Sequence, residues 1–471
     1  MRILLINPPV QNEILGNNPQ IVQEERGYNP PLGLLYLATV LNKQKKHEVK
    51  LLDTQVEELN YSSIEKFISE YSPDIAGLTV MTFTLLDVIK TCSLIKKIKP
   101  SCKIILGGPH VHLFPKASLN TCYGDFAITG EGEYSFPRLI DNINDLQKCA
   151  EIPGVCFFSD GKFISGPGPG LIDNLDDLPH PDRTLLPYKK YGSILASKSP
   201  VTTMFTSRGC PYKCRFCDRP HLGKNFRAHS AEYVIDEMQQ CEELGIKEIL
   251  VYDDTFTIDR KRTLDICKLY KERRLSISWD IRARVNTIDE EIIKALKHAN
   301  CQRIHFGVEA GTEKILKVLN KGINKKQALE AFRLAKKYGI ETLAYFMIGS
   351  PSETEEDIKE TFRFARFLSP DYLHLTILTP FPGTEIYQDG IKQGLFSDFW
   401  RDFAEKPVPE FKPKFWDAEI SESILRELII EGYKKFYFRP SYIFRRIMRL
   451  KSTDELKKKF KAAFKLFLWK D

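Results

Sequence analysis

The sequence contains no run approaching eighteen uninterrupted apolar residues in its 471 positions, which excludes an ordinary spanning helix of about twenty apolar residues. It contains no fixed-period repeat, so a solenoid is excluded. The opening "MRILLINPPV" lacks a small-residue cleavage site and reads as a buried strand, which gives the expectation of a cytosolic chain. "NPPVQNE" follows that strand where a dinucleotide fold carries G-x-G-x-x-G, so dinucleotide binding there is a poor reading. The eleven cysteines are irregularly spaced and form no disulfide framework. Most read as small buried apolar residues, and only Cys210, Cys214 and Cys217 stand close together. With 42% apolar and 28% charged residues, wholesale disorder is excluded. The length implies two or three domains.

The net charge of +7 is concentrated at one end. Thirteen Lys/Arg face three Asp/Glu between Tyr433 and Asp471, a net of +10 that leaves −3 for the rest of the chain. A protein-wide nucleic-acid footprint is therefore not expected.

Apolar runs alternate with helical patterns through residues 1–145. "RILLIN", "VKLLD", "DIAGLTV", "KIILGG" and "FAIT" read as strands, separated by helical spacing such as "GLLYLATVLNKQ" and "LLDVIKTCSLIKKIK". Strands buried on both faces with helical crossovers predict a doubly wound parallel sheet, whose ligands bind beyond the strands' carboxyl ends. Thr79 to Thr84, Gly107 to His110 and Gly130 to Glu133 fall at such ends. Residues 146–195 crowd Gly and Pro around one hairpin at Asp160-Gly161 and read as a linker. Residues 196–385 hold six strand–helix units, which predict a partial (β/α)6 barrel with its site at the strands' carboxyl ends. Residues 386–471 read as a helical, basic carboxyl-terminal region. The fold class expected is α/β.

"TSRGCPYKCRFCDRP" follows the first barrel strand with C-x3-C-x2-C spacing. Three thiolates on one short loop can hold three irons of a 4Fe-4S cluster and leave the fourth iron open. Zinc normally wants four protein ligands, and only His221 stands nearby, so zinc is the minority reading. Buried structural cysteines are weaker still, because Gly209, Pro211, Lys213 and Arg215 mark a loop.

This segment resembles the radical S-adenosylmethionine superfamily, whose signature is this spacing with an aromatic residue, here Phe216, before the last cysteine. The resemblance implies a 4Fe-4S cluster on Cys210, Cys214 and Cys217, with S-adenosyl-L-methionine chelating the open iron. One electron then releases a 5′-deoxyadenosyl radical that takes a substrate hydrogen. It also implies that Asp253 or Asp254 meets the methionine ammonium, and that Arg282 and Glu309 contact the carboxylate or ribose. The plainer readings are a helix cap for one of the two aspartates and a salt bridge for Arg282 and Glu309. "MIGSPSET" resembles the stretch that approaches the adenine, and "TPFPGTEIY" the loop closing the substrate side.

The amino-terminal part is similar to the cobalamin-binding domain fused ahead of such barrels, through "INPP", "PPLGLLYLATVL", "GGPHVHLFP" and "GEGEYSFPRL". The resemblance implies corrin contacts from Gly107, Gly108, Pro109, His110, Gly130, Glu131, Gly132 and Glu133. Thr79, Thr82 and Thr84 supply hydroxyls at the same strand ends. The D-x-H-x-x-G motif that places a histidine on cobalt is absent, so neither His110 nor His112 is assigned as an axial ligand. The alternative is a domain that keeps the fold without corrin. A methylthiotransferase reading fails, because Cys92, Cys102 and Cys122 do not match that family's amino-terminal triplet.

The tail from Tyr433 interleaves Lys/Arg with aromatics. It reads as a helical cap on the barrel, as an interfacial helix giving peripheral contact with anionic lipid, or, least, as an RNA contact. The resulting expectation is a cobalamin-dependent radical enzyme that methylates an unactivated carbon of a small-molecule or lipid substrate. A cobalamin-bound methyl group would be delivered to the substrate radical, and a flavodoxin- or ferredoxin-type protein would supply single electrons. The alternatives are an oxidative or ring-forming cyclase of the same architecture and a non-catalytic metal-binding protein.

Overall fold

A computed structural model describes residues 1–14, 27–196, 198–218 and 223–448. In chain order the strands of the first part are β1 (Arg2–Asn7), β2 (Gly27–Tyr28), β3 (Glu48–Asp53), β4 (Ile75–Thr79), β5 (Lys103–Gly107), β6 (Phe126–Ile128), β7 (Val155–Ser159) and β8 (Lys162–Ser165). Seven of them form one sheet in the order β3-β1-β4-β5-β6-β7-β8. The first five in that order are parallel. Ile3, Leu4, Leu5 and Ile6 of β1 have no exposed surface, as a strand covered by helices on both faces requires. The strand order reverses between β1 and β4, and ligands of doubly wound sheets bind at such switch points.

The sheet does not end near residue 145. The hairpin assigned to the linker is β7–β8, and β7 pairs antiparallel with β6. Val155, Cys156 and Phe157 are buried there, so the hairpin covers an edge of the sheet and gains a hydrophobic face. The rest of the linker is pinned by β2, which pairs with β9 (Gly192–Ser193).

The second part contains β10 (Val201–Met204), β11 (Ser207–Arg208), β12 (Arg227–Ala228), β13 (Glu248–Val251), β14 (Ser278–Ala283), β15 (Cys301–Glu309), β16 (Glu341–Ile348) and β17 (Tyr372–Ile377). Six form a parallel sheet in sequential order β10-β13-β14-β15-β16-β17, the partial barrel the alternation predicts. β11 and β12 make a two-stranded ribbon at the start of the cysteine loop.

The open edge of β17 is covered by the helix Glu422–Tyr437. Tyr433 Oη accepts from the Leu375 N–H at 2.9 Å and donates to the Leu375 carbonyl at 3.0 Å. Tyr437 does the same at Leu373, with both distances 2.9 Å. The cap reading of the tail therefore holds for its first turns, while residues 449–471 lie outside the described residues. No helix of the described residues is long and apolar enough to cross a membrane.

Candidate active site

The cysteine loop leaves β11 through Gly209, whose φ of +81° and lack of room for a Cβ (2.2 Å from the Asn225 carbonyl oxygen) require glycine. The Arg215 N–H donates to the Leu319 carbonyl at 3.1 Å, tying the loop to the barrel. Cys210, Cys214, Phe216 and Cys217 line a cavity of about 140 Å³. Its other walls come from the carboxyl ends of β13, β14 and β15, and include Asp254, Arg282 and Glu309. These sequence-expected residues are therefore gathered at one place. Among the described residues, no three His, Cys, Asp or Glu side chains converge to hold a single metal ion. His221, the zinc candidate, lies outside the described residues.

Asp253 is not in this cavity. It is buried, and its two carboxylate oxygens accept from the N–H and hydroxyl of both Thr206 and Ser207, at 2.5–3.0 Å. It thus fixes the end of the first barrel strand from below. Neither Asp253 nor Asp254 caps the following helix. Asp259 does, accepting the Arg262 N–H at 2.9 Å.

Alternation along β15 and β16 puts His305 and Tyr345 on the barrel's inner face, and Lys321 joins them from the segment after β15; sequence reasoning missed all three. Lys321 pairs with Glu309 at 2.7 Å, both nearly covered. Glu309 takes a left-handed φ of +72° at this point. His305 and Tyr345 line the same cavity. The His305 Nε2 faces Asp280 at 3.2 Å, and its Nδ1 faces the Tyr345 hydroxyl at 3.1 Å. Burial lowers the His305 pKa, against the raising effect of the Asp280 charge and hydrogen bond. Asp280 only accepts, so Nε2 carries a proton toward it. Position two residues from Arg303 and four from Glu309 on one strand was the available signal for His305. Arg284 was missed because "RARVN" gives no reason to prefer its second arginine.

A second cavity, about 180 Å³, lies beyond the ends of β4, β5 and β6. Thr79, Gly107, Gly108, Gly130, Glu131, Gly132 and Glu133 line it, as expected, together with Gly33 and Gly77. Phe205 and Arg208 close it from the barrel side. Glu131 and Glu133 also hold the two parts together. Arg208 Nη2 donates to Glu133 Oε1 at 2.6 Å, and Arg227 Nη2 to Glu131 Oε1 at 2.7 Å. Burial pushes Glu131 up, but the Arg227 hydrogen bond and the Arg208 charge outweigh it and hold the carboxyl below its usual range.

His110, Pro109, Thr82 and Thr84 do not reach the cavity wall. Pro109 starts a short helix, and His110 is fully buried with its Nδ1 3.0 Å from the Thr82 hydroxyl. Burial drops the His110 pKa to about 4. Thr84 is buried and its hydroxyl turns back to the Met81 carbonyl.

Residues 204–365 match the family model for the radical SAM superfamily, and residues 21–140 match the B12 binding domain. An uncharacterized methyltransferase of Pyrococcus horikoshii is 37% identical over 451 residues, covering 95% of each chain. The chain belongs to the B12-binding radical S-adenosylmethionine enzymes. In this family, the anaerobic magnesium-protoporphyrin IX monomethyl ester cyclase of Rubrivivax gelatinosus is 27% identical over 455 residues, covering 94% of this chain and 78% of that one. The structure of the cobalamin-dependent radical enzyme OxsB with aqua-cobalamin and S-adenosylmethionine bound superposes with a TM-score of 0.75 at 19% identity. That match covers 99% of this chain and 72% of OxsB. As a B12-binding radical enzyme, the chain has residues that suit both groups. Three thiol side chains open on one cavity. The other cavity has six glycines among its lining residues, and two of them leave room: a Cβ on Gly107 would find its nearest neighbour 4.0 Å away, and one on Gly33 would find none within 4 Å.

Proposed function

We propose that this radical S-adenosylmethionine enzyme methylates an unactivated carbon of a small-molecule or lipid substrate. The observation that carries the reading is one loop facing two cavities. Arg208 lines the glycine-walled cavity, and Cys210, two residues later, lines the cysteine cavity. When bound there, the cluster with S-adenosylmethionine supplies a carbon radical for hydrogen abstraction, and the corrin supplies the methyl group.

In this reading Cys210, Cys214 and Cys217 hold the cluster. Asp254 and Arg282, on adjoining strand ends, offer opposite charges to the amino and carboxylate groups of the methionine moiety. Glu309, fixed by Lys321, is placed to accept from ribose hydroxyls. Tyr345 and His305 share a hydrogen bond between Oη and Nδ1 beside the site, with Asp280 orienting the ring. Gly107, whose Cβ position is open, lets a large planar ligand approach the backbone, with Gly108, Gly130 and Gly132 in the same lining, while Phe205 shields it from the barrel side. An external one-electron donor of the flavodoxin or ferredoxin class completes the system. The likeness to a cyclase keeps oxidative ring formation as the second reading.

Anaerobic reconstitution of the full chain with iron, sulfide and hydroxocobalamin tests the assignment. The expected result is one cluster and one corrin per chain, with 5′-deoxyadenosine formed after reduction. Unchanged iron content after alanine replacement of all three cysteines would sink it. Product mass then decides the reaction: a gain of one methylene means methylation, and a loss of hydrogens means cyclisation.

A further inference from the structure

We propose that Arg284 raises the reduction potential of the cluster by presenting an uncompensated positive charge to the Cys214 sulfur. The inference rests on Cys210, Cys214 and Cys217 being the cluster ligands. Arg284 follows β14 directly and is 4% exposed. Its Nη1 lies 3.6 Å from Cys214 Sγ.

The guanidinium is held on every side. Nη2 donates to the Lys321 carbonyl, and Nε to Asn286 Oδ1 at 3.2 Å. The plane sits 3.8 Å from the ring centroid of Tyr212, which stands between Cys210 and Cys214 in the sequence. The cysteine loop therefore clamps the cation against its own sulfur. None of these partners is anionic, and among the described residues no carboxylate pairs with Arg284. Lys321, the neighbouring cation, is by contrast neutralised by Glu309 at 2.7 Å. The guanidinium thus sets a fixed positive charge beside the sulfur.

Reduction adds one negative charge to a cluster. Hydrogen bonds to its sulfurs and a nearby cation favour the reduced form, and do so more strongly where water is excluded. Arg284 acts through Cys214 and is a positioning residue. Its effect is to bring the cluster within reach of a flavodoxin- or ferredoxin-class donor.

The test is potentiometry of the reconstituted full chain, without S-adenosylmethionine, followed by electron paramagnetic resonance. Arg284→Gln is expected to hold the same iron per chain and to lower the potential by about 59 mV or more, a tenfold change in a one-electron equilibrium. Arg284→Lys keeps the charge and recovers most of the shift. Asn286→Asp leaves the guanidinium in place but sets a carboxylate against Nε, so it also lowers the potential. This variant decides the matter if Arg284→Gln cannot hold iron. Wild-type potential in an iron-loaded Arg284→Gln, or in Asn286→Asp when the first is empty, overturns the proposal. Iron content unaffected by loss of the three cysteines would instead overturn the cluster assignment beneath it.

Discussion

Lys321 and Glu309 pair on the wall of the cysteine cavity with Nζ and Oε1 2.7 Å apart, and their side chains are only 8% and 11% exposed. Removing one partner of a buried pair strands the other charge, which costs about 3–5 kcal/mol. Lys321→Met should therefore lower the thermal unfolding midpoint markedly, while Lys321→Met with Glu309→Leu should recover much of the loss. Equal midpoints for the wild type and Lys321→Met would show that the pair is solvated and not structural.

The glycine-walled cavity makes a prediction about corrin alone. Gly107 has an ordinary φ and space beyond its Cβ position, so Gly107→Leu fills the cavity without straining the backbone. Reconstituted protein should lose more than tenfold in bound corrin and keep its iron. Full corrin content in Gly107→Leu would place the corrin elsewhere.

The strands of both sheets were legible because each is a short apolar run with helical spacing beside it. The cysteines were legible because three on one loop have few uses. Asp253 and Asp254 were not told apart because two adjacent aspartates at a strand end point to opposite sides of the backbone. Sequence alone does not say which one lies beneath the strand. His110 and Thr82 sit at the correct strand ends, but the helix from Pro109 turns the histidine inward against Thr82. The hairpin Val155–Ser165 read as linker because its stabilising partner, β6, is distant in character and local in space. Lys321 lies beyond any strand, so nothing in its sequence context announces a partner in Glu309.

His110 offers a pH test of that correction. Its pKa falls from 6.5 unfolded to about 4 folded through burial alone. The folded state thus requires a neutral ring. Its contribution is fully present above pH 6.5 and is lost as pH falls through 6.5 toward 4, amounting to about 3 kcal/mol over the window. His110→Leu should be less sensitive than the wild type to acid between pH 6.5 and 4, as urea midpoints would reveal. Hydroxocobalamin uptake should stay within about twofold of the wild type. A variant that binds no corrin would return the histidine to the cavity wall.

The tail's aromatics give the last prediction. At β17 the barrel stops with an unpaired edge, and a bare edge is a template for association. Here the hydroxyls of Tyr433 and Tyr437 take the place of a seventh strand, each bonding both backbone groups of one residue. Tyr433→Phe and Tyr437→Phe keep the rings and the packing but leave the Leu375 and Leu373 groups buried without those partners. Each unsatisfied group costs about 1–3 kcal/mol. The double variant should unfold at lower temperature and exchange the Leu373 and Leu375 amide hydrogens much faster than the wild type. The amides of β14 should keep their protection, because the barrel centre does not depend on the edge. Unchanged exchange at both leucines would mean that the helix covers the edge by hydrophobic contact alone, with the hydroxyl bonds contributing nothing measurable.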